Sequence, residues 1–348
     1  MNNTDNEIIA AVRKLLSVAP VKIAVIPHSN PDGDAIGSSY GLAVILKNAG
    51  HEVRIISPND YPTFLDWLSG DVEIVNFQKK TITATKYINS CDMLFCVDFN
   101  DISRTGDMAA TIDSFKGPKI MIDHHPYPTS FCNYCISEPE YSSSAELVFD
   151  VVTACGWGEF INRQAAEALY TGIMTDTGSF SYNTSRANLY KVLSELMKFH
   201  IDTEAVHDLV YHNFSADRLR LMGYCLHEKM VILPEYRTGF ISLTRDELKK
   251  YNFVPGDTEG FVNIPLSIHN IVFSALFIEK EGLVKASFRS KGSFPANSFS
   301  SDHFSGGGHL NAAGGEIQLP LNATIELFTQ LLPEYNHLLI NADKNIVL

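Results

Sequence analysis

An acidic and imidazole-rich segment follows the first apolar run of the chain. It reads HSNPDGDAIGSS and contains His28, Asp32 and Asp34. Two carboxylates one residue apart are poorly placed to bind one ion together, but they can bind two adjacent ions roughly 3.5–4 Å apart. Asp-Gly-Asp is also ordinary turn and helix-capping chemistry. The histidine beside it favours the metal reading, which is hydrolysis of a phosphate ester assisted by two divalent ions.

Two further aspartates stand at the ends of predicted elements. Asp98 in CVDFND closes an apolar run and is the natural bridging ligand, although it could be a turn residue and Asp101 could cap or support it. Asp176 in GIMTDTGSF ends a helical pattern, where a carboxylate meets the negative end of the helix dipole. A bound metal would remove that unfavourable interaction. Both aspartates are therefore predicted metal ligands.

A third apolar run ends in the triplet Asp123-His124-His125. Adjacent histidines at a buried strand end rarely serve packing, so we predict a chemical role for each. His124 is a predicted metal ligand, Asp123 could orient an imidazole, and His125 could contact the phosphate or donate a proton to the leaving oxygen. We therefore assign His125, Asp98 and Asp123 to catalysis.

The predicted donors are carboxylates and imidazoles without thiolates. Such a set fits two divalent ions of the Mn²⁺ type, with Mg²⁺ as the alternative, better than a structural zinc. The six cysteines include one C-x-x-C pair, Cys132 and Cys135, without a second pair at zinc-ribbon spacing. We predict buried or half-buried thiols there, with a redox role as the minor alternative.

A glycine-rich segment near the C-terminus, SGGGHLNAAGG, contains Gly306, Gly307, Gly308 and His309. The glycines may be read as a tight turn alone. They may also be read as exposed backbone N–H groups at the start of a helix, which would bind an anion. Arg289, at the end of a predicted strand, and His309 add cationic donors. We predict that these residues bind substrate phosphate.

The first half of the chain alternates strand-like and helical patterns. Apolar, β-branched runs predict strands at 21–27, 51–57, 91–98 and 118–123. Helical patterns occupy 35–50, 142–156 and 162–176. This alternation predicts an α/β domain with a parallel sheet. The acidic and imidazole clusters follow three of the strands, at the carboxyl ends where open α/β sheets bind ligands.

The second half of the chain begins with helical patterns and continues with alternating strand-like and helical patterns. Helices are predicted at 185–200, 202–213 and 215–230, which form a connector. Strands at 236–244, 270–279 and 283–290, with helices at 244–252 and 324–340, predict a smaller α+β domain. Three phenylalanines of this domain, Phe294, Phe299 and Phe304, could stack on a base or belong to the core. We expect the active-site cleft between the two domains.

Composition limits the partners. The 348 residues carry a formal net charge of −13, without the basic stripe that binding to long DNA or RNA requires. No apolar run approaches the ~20 residues of a membrane span, and the first residues, MNNTDNEIIAAVRKLL, are unlike a signal peptide. We therefore expect a cytoplasmic enzyme of two domains that acts on small nucleotides, without a membrane or an evident protein partner.

Taken together, these motifs resemble the DHH phosphoesterase superfamily, which is named for the triplet found here at 123–125. HSNPDGDAIGSS is similar to its first motif, CVDFND to its second and GIMTDTGSF to its fourth. GGGHLNAAGG is similar to the signature of the DHH-associated C-terminal domain. The resemblance covers most of the chain in the expected order. One departure is Phe99-Asn100 in the second motif, where small or polar residues are common.

The resemblance implies a particular division of ligands. One metal would be bound by His28, Asp32 and Asp98. The other would be bound by Asp98 together with three further residues: Asp34, His124 and Asp176. Arg104, in DISRTG, matches a position expected to bind substrate phosphate. The implied domains are a catalytic DHH domain at 1–190, a helical connector at 191–230 and a DHH-associated substrate-binding domain at 231–348.

Within the superfamily, the compact two-domain size resembles the group that degrades very short RNA and removes the 3′-phosphate of 3′-phosphoadenosine 5′-phosphate. The alternatives are a phosphodiesterase for linear or cyclic di-AMP and a single-strand exonuclease, although the larger exonucleases usually carry an added nucleic-acid-binding domain. Family II pyrophosphatases share the metal motifs but lack the glycine-rich signature. A nucleotide sensor without catalysis is the rival from another class, and every ligand position being filled disfavours it.

Overall fold

The computed structural model of the chain describes residues 3–17 and 20–342. It divides the chain into two compact units, Met1–Asn213 and Phe214–Leu348. The helices of the predicted connector fall in both units. The active-site cleft expected between the two domains, and the exact domain limits, stay predictions.

The first unit contains a six-stranded sheet with helices around it. Its strands are β1 (Lys22–Ile26), β2 (Glu52–Ser57), β3 (Ile74–Asn76), β4 (Met93–Val97), β5 (Lys119–Asp123) and β6 (Tyr134–Ser137). Its α-helices are α1 (Asn3–Leu16), α2 (Gly33–Asn48), α3 (Thr81–Asn89), α4 (Ala109–Ser114), α5 (Ser144–Ala154), α6 (Arg163–Asp176), α7 (Ala187–Met197) and α8 (Thr203–Tyr211).

All strands of this sheet are parallel, in the order β3-β2-β1-β4-β5-β6. The predicted parallel α/β domain is therefore confirmed. The strand order reverses between β1 and β4, so their carboxyl ends open a crevice of the kind in which doubly wound proteins bind ligands. Strand β4 is buried along its whole length, as its apolar run predicted.

Helices α2 and α6 pack closely through glycines. A Cβ atom added at Gly37 would lie 2.6 Å from the carbonyl oxygen of Ala168, and one added at Gly33 would lie 2.3 Å from Oγ1 of Thr175. Only residues without a side chain allow the two backbones to approach this closely. The contact fixes the first turn of α2, which carries Asp34, beside the last turn of α6, which ends at Asp176.

The second unit contains a six-stranded mixed sheet. Its strands are β7 (Met230–Leu233), β8 (Thr238–Leu243), β9 (Phe273–Glu279), β10 (Val284–Ser290), β11 (Gly307–His309) and β12 (Ala312–Ile317). Its α-helices are α9 (Ala216–Tyr224), α10 (Arg245–Lys250), α11 (Ala296–His303) and α12 (Leu321–Asn341). The order is β11-β12-β10-β9-β8-β7, with β8 and β9 parallel and the other pairs antiparallel. This confirms the α+β prediction.

Phenylalanines fill the core of the second unit. Phe294, Phe299 and Phe304 each have 0% of their surface exposed, and they pack with Phe273 and Phe288 at ring-centroid distances of 4.5–5.4 Å between contacting pairs. Buried rings of this kind contribute through area and edge-to-face contact. The three candidate stacking residues are therefore core residues, and base stacking by them is excluded.

Two sequence expectations in the second unit are wrong. The segment 215–230 is not one α-helix, because α9 ends at Tyr224, a π-helical turn follows at Cys225–Lys229, and Met230 begins β7. The glycine run does not start a helix. Gly307 and Gly308 belong to β11, which pairs antiparallel with β12. Strand β12 in turn pairs with β10, which joins the hairpin to the sheet, and the local pattern of small residues carries no sign of this pairing.

None of the helices in the described parts of the chain combines the length and the apolar run of a membrane span.

Candidate metal centre

The carboxyl ends of β1 and β4 bring the first group of predicted ligands together. Nε2 of His28 lies 3.4 Å from Oδ2 of Asp98 and 4.0 Å from Oδ1 of Asp32. Nδ1 of His28 donates to the carbonyl oxygen of Ser29 at 2.8 Å. A backbone partner for Nδ1 leaves the Nε2 lone pair directed at the carboxylates, as in histidines that bind metals.

The second group gathers around His124, at the end of β5. Its Nε2 lies 3.8 Å from Oδ2 of Asp34, 3.6 Å from Oδ1 of Asp98 and 3.5 Å from Oδ2 of Asp176. Nδ1 of His124 faces the carbonyl oxygen of Tyr141 at 3.2 Å. The four residues that the sequence assigned to the second ion are therefore neighbours, and their role as ligands stays a prediction.

Asp98 stands between the two groups. One carboxylate oxygen faces His28 and the other faces His124. The residue is buried, and its φ of +67° lies in the left-handed region that aspartate adopts only at a cost. A strained, buried carboxylate shared by two imidazoles is the geometry expected of a bridging ligand.

The carboxylates are held by helix ends. Oδ1 of Asp32 accepts hydrogen bonds from the N–H groups of Asp34 and Ala35 and thereby caps α2. Both oxygens of Asp34 accept from the first N–H groups of α5, at 2.6 Å from Ser144 and 3.0 Å from Ala145. The positive end of a helix stabilises an anion at this position. Asp34 is thus oriented before any ion binds.

His125 pairs with Asp123 beside these groups. Nδ1 of His125 lies 2.7 Å from Oδ1 of Asp123, which is fully buried. Among the described residues, Oδ2 of Asp123 has no hydrogen-bond partner. Burial and the nearby charge of Asp98 raise the pKa of Asp123 to about 7. Burial and the charge of Arg104 hold the pKa of His125 well below its usual value. Without bound ions, these shifts favour the neutral forms of both side chains.

Negative charge accumulates in the centre. Burial, followed by repulsion from Asp98, Asp176 and Asp32, raises the pKa of Asp34 well above its usual value. Burial alone would also raise the pKa of Asp98, but its hydrogen bond with His28 and the surrounding imidazoles lower it instead. Carboxylate oxygens and imidazole nitrogens gathered in this way suit hard divalent ions, which would offset the repulsion. The residues present therefore fit a pair of such ions.

Ser144 supports the centre, although the sequence pattern placed it only within a predicted helix at 142–156. Its hydroxyl donates to Oδ1 of Asp98 at 2.8 Å, while Ser143 is the residue that caps α5. The carbonyl of Tyr141 in the same segment accepts from His124. No pattern in the sequence indicates that the hydroxyl of Ser144 reaches Asp98.

The departure in the second motif has a structural role. Phe99 is buried and stacks on Phe131 with a ring-centroid distance of 5.7 Å. Nδ2 of Asn100 donates to the carbonyl oxygen of Pro126 at 2.6 Å, and the carbonyl of Asn100 accepts from the N–H of Thr129 at 2.8 Å. These contacts anchor the segment that follows the histidine pair, so the unusual residues tie the second motif to the third.

Arg104 lies in a 3₁₀ helix, Ile102–Met108, that borders the first group. Its carbonyl oxygen accepts from the N–H of Ser29 at 2.7 Å. Its positive charge contributes to lowering the pKa of His125. Binding of a substrate phosphate by Arg104, which the resemblance implies, stays a prediction.

The remaining predicted substrate residues lie in the second unit. Arg289 on β10 and His309 on β11 both pair with Ala312 of β12, from opposite sides. Directly paired residues project from the same face of a sheet, so both side chains leave one face. A Cβ added at Gly306 would lie 2.0 Å from the carbonyl oxygen of Gly314, and Gly308 has a φ of +141°. The hairpin itself therefore requires Gly306 and Gly308, whereas a Cβ at Gly307 would meet nothing within 4 Å.

A parallel sheet with carboxylates and imidazoles collected at its carboxyl ends is typical of metal-dependent hydrolases. Residues 22–173 match the model of the DHH family, N-terminal domain, and residues 241–337 match the DHHA1 domain. The fold is similar to the crystal structure of an exopolyphosphatase-related protein from Bacteroides fragilis, with a TM-score of 0.90 and 42% sequence identity over 96% of this chain and 97% of that one.

Two named relatives extend the comparison. The bifunctional oligoribonuclease and PAP phosphatase NrnA of Thermus thermophilus is 27% identical over 88% of this chain and 87% of its own length. The protein of the same name from Bacillus subtilis is 26% identical over 83% and 87%. The chain therefore belongs to the DHH family of phosphoesterases and is a phosphoric ester hydrolase. Membership of this family implies dependence on divalent metal ions.

Proposed function

We propose that the chain is a manganese-dependent phosphoesterase that hydrolyses short oligoribonucleotides and removes the 3′-phosphate of 3′-phosphoadenosine 5′-phosphate. The observation that carries the proposal is Asp98, whose two oxygens face two separate ligand groups. The named relatives support the substrate class, because both are called oligoribonucleases and phosphatases of this bisphosphate.

The proposed ligands form two groups that share Asp98, one for each ion. His28, Asp32 and Asp98 would hold one ion, and Asp34, His124 and Asp176 would share Asp98 to hold the other. When bound, such a pair lowers the pKa of a bridging water and stabilises charge on the phosphate oxygens. Mn²⁺ is the proposed ion because the donor set mixes imidazole with carboxylate, and Mg²⁺ is the alternative.

Other side chains and backbone N–H groups of the chain would transfer a proton and bind the substrate. Asp123 would orient His125, which would contact the phosphate or donate a proton to the leaving oxygen. Arg104 would bind a substrate phosphate beside the centre. Arg289, His309 and the N–H groups of the glycine hairpin at 306–308 would bind the nucleotide from the second unit. The net charge of −13 disfavours long nucleic acid, which agrees with short substrates.

Hydrolysis of a substrate panel with added Mn²⁺ tests the proposal. The panel holds 3′-phosphoadenosine 5′-phosphate, an RNA dinucleotide, linear and cyclic di-AMP, pyrophosphate, a polyphosphate and a long single strand. Fast turnover of the bisphosphate and the dinucleotide, with the long strand spared, is the expected result. Preference for di-AMP, for polyphosphate or for the long strand would contradict the proposed specificity. Failure to hydrolyse any member of the panel would contradict the proposed activity and favour the alternative of a nucleotide sensor.

Two variants assign the roles within the site. Asp98→Ala should abolish turnover of every substrate while the circular-dichroism spectrum is retained, and near-normal activity would contradict the shared-ligand model. His309→Ala should raise KM for the nucleotide without changing the Mn²⁺ concentration that gives half-maximal activity. Unchanged kinetics in that variant would remove His309 from the substrate site.

A further inference from the structure

A second cluster of metal-binding side chains lies at the C-terminal end of α8. It consists of His207, Asp208 and His212, each of which offers a donor atom within 4.8 Å of the other two. Donor atoms that bind one zinc ion at about 2.1 Å lie at most about 4.2 Å from each other. Small side-chain rotations would therefore bring the three donors onto one ion. None of the three belongs to the proposed ligands at the sheet.

The end of the helix creates this cluster. Helix α8 stops at Tyr211, and His212 leaves the helical conformation with φ −118° and ψ 13°. The ring of His212 consequently turns back toward the preceding turn, where its centroid lies 5.1 Å from that of His207. Nδ1 of His212 lies 2.6 Å from Oδ1 of Asp208. Two imidazoles and a carboxylate thus converge from adjacent turns.

The surroundings favour a cation at this place. The last carbonyl groups of α8 give the helix end a partial negative charge, which stabilises positive charge. His207 and Asp208 also line a cavity of about 430 Å³, with Glu204, Tyr170, Ser179 and Phe180 as other lining residues. The cavity offers space beside the donors for the water molecules that would complete the coordination of an ion. Glu204 adds a further carboxylate to its wall.

We propose that His207, Asp208 and His212 form a third metal site, which binds a late first-row transition ion such as Zn²⁺. Two imidazoles with one carboxylate suit zinc, copper or nickel, whereas Mg²⁺ and Ca²⁺ prefer sites made of oxygen. Binding through Nδ1 of His212 would replace its hydrogen bond with Asp208, and the neutral imidazole would then carry its proton on Nε2. This site is independent of the proposed function.

Zinc titration of the full chain by isothermal calorimetry tests the proposal. The wild type should bind one more equivalent of Zn²⁺ than His207→Gln or His212→Gln. The matched control is His227→Gln, because His227 is exposed, lies 3.4 Å from Glu228 and belongs to no cluster of three donors in the described parts of the chain. That control should bind as much zinc as the wild type. Mn²⁺-dependent hydrolysis should be unchanged in both α8 variants.

Asp98→Ala separates this proposal from the proposed function. The Asp98→Ala variant should lose hydrolysis but still bind the additional equivalent of Zn²⁺. Combining Asp98→Ala with His212→Gln should remove that equivalent. The side chain of His212 is 65% exposed, so its replacement leaves the fold intact even if that of His207 does not. Equal zinc uptake by the wild type and both α8 variants would overturn the site. An equal loss in His227→Gln, or an extra equivalent only at millimolar zinc, would overturn it too.

Discussion

At the scale of single residues, Asp98 concentrates the features of a functional group. It is buried, and it adopts a left-handed conformation directly after β4. It also accepts a hydrogen bond from the hydroxyl of Ser144 and faces two histidines. Strain of about 1–3 kcal/mol persists only where surrounding contacts impose it. Ser144 is one of those contacts, so it should affect the centre without touching substrate.

Ser144→Ala should lower Mn²⁺ affinity or turnover by roughly 10–100-fold, as loss of a hydrogen bond to a ligand commonly does. The physical reason is that Oδ1 of Asp98 loses its donor at 2.8 Å and the carboxylate can rotate. Activity as a function of Mn²⁺ concentration measures the effect, and added Mn²⁺ should restore part of it.

Ser39→Ala is the matched control for that variant. Ser39 is also buried, but within the described residues its hydroxyl has no hydrogen-bond partner. Its removal should leave activity unchanged and should not reduce stability. If Ser144→Ala behaved like this control, the hydroxyl would have no part in positioning Asp98.

Residue types and their order in the chain were enough to predict which side chains gather around Asp98. Ser144 and the carbonyl of Tyr141 were beyond such a prediction, because their roles depend on where α5 begins in space. A hydrogen bond between residues far apart in sequence leaves no local pattern to read. The same holds for Asp34, whose two partners are on another helix.

At the scale of elements, the glycines of α2 and α6 set how closely two ligand-bearing helices approach. Gly172→Ala would place a Cβ 2.8 Å from Oδ1 of Asp34 and 2.6 Å from Cβ of Ala145. We expect a loss of about 1–3 kcal/mol in the free energy of unfolding, together with weaker Mn²⁺ binding. Chemical denaturation with and without Mn²⁺ measures both effects.

Gly223→Ala provides the comparison. Gly223 lies in α9, and a Cβ there would meet nothing within 4 Å. Alanine in a helix without a clash stabilises by roughly 0.4–1 kcal/mol. A Gly172→Ala protein as stable as Gly223→Ala would show that the α2–α6 contact relaxes without cost.

The start of α10 carries a pH-dependent contact. Burial alone would raise the pKa of Glu247, but hydrogen bonds from Lys229, the N–H of Thr244 and Tyr224 outweigh it and lower the pKa to about 2. An unfolded glutamate titrates near about 4.3. The contribution of Glu247 to stability is therefore present above about pH 4.3 and is lost as the pH falls toward 2.

Glu247→Gln should destabilise the second unit by up to about 1 kcal/mol at pH 7, because glutamine can keep the capping box but lacks the charge that pairs with Lys229 at 2.8 Å. The difference from wild type should shrink as the pH falls from about 4.3 toward 2. Urea denaturation across this range checks the sign, with the exposed Glu326→Gln as control. A difference that grows on acidification would refute the assignment.

Elements with strong periodicity were predictable and those that depend on distant partners were not. Strands β1, β2, β4 and β5 and helices α2, α5 and α6 stand where the apolar runs placed them, whereas the short edge strands β3 and β6 were not predicted. The hairpin of β11 and β12 consists of small residues without a hydrophobic alternation, and only pairing with β10 makes it part of a sheet. Its misreading as a helix start follows from that lack of local signal.

At the scale of the whole molecule, the metal centre should contribute to stability. Without ions, burial and mutual repulsion oppose the ionised carboxylates of Asp34 and its neighbours. Ions that bind only the folded chain stabilise it by about 2.7 kcal/mol at a hundredfold excess over Kd. Mn²⁺ should therefore raise the melting temperature, and a chelator should lower it.

Thermal melting of wild type and Asp98→Ala with Mn²⁺ or chelator measures this effect. The variant should respond much less than the wild type, because both ligand groups lose their shared member. A wild-type melting temperature that is the same under both conditions would show that no ion binds the folded chain tightly enough to matter. Hydrogen exchange should locate the protection at the ends of β4 and β5 and at the start of α5.

The six proposed ligands all precede Asn213, while Arg289, the glycine hairpin and His309 all follow Phe214. The residues that bind the metal ions and most of those that select the nucleotide would then be encoded by separate parts of the gene. A chimaera that joins residues 1–213 to the second unit of a DHH relative with another preference should keep the metal requirement of this chain and take its selectivity from the other parent. New specificities could arise in this lineage by recombination, without rebuilding the chemistry.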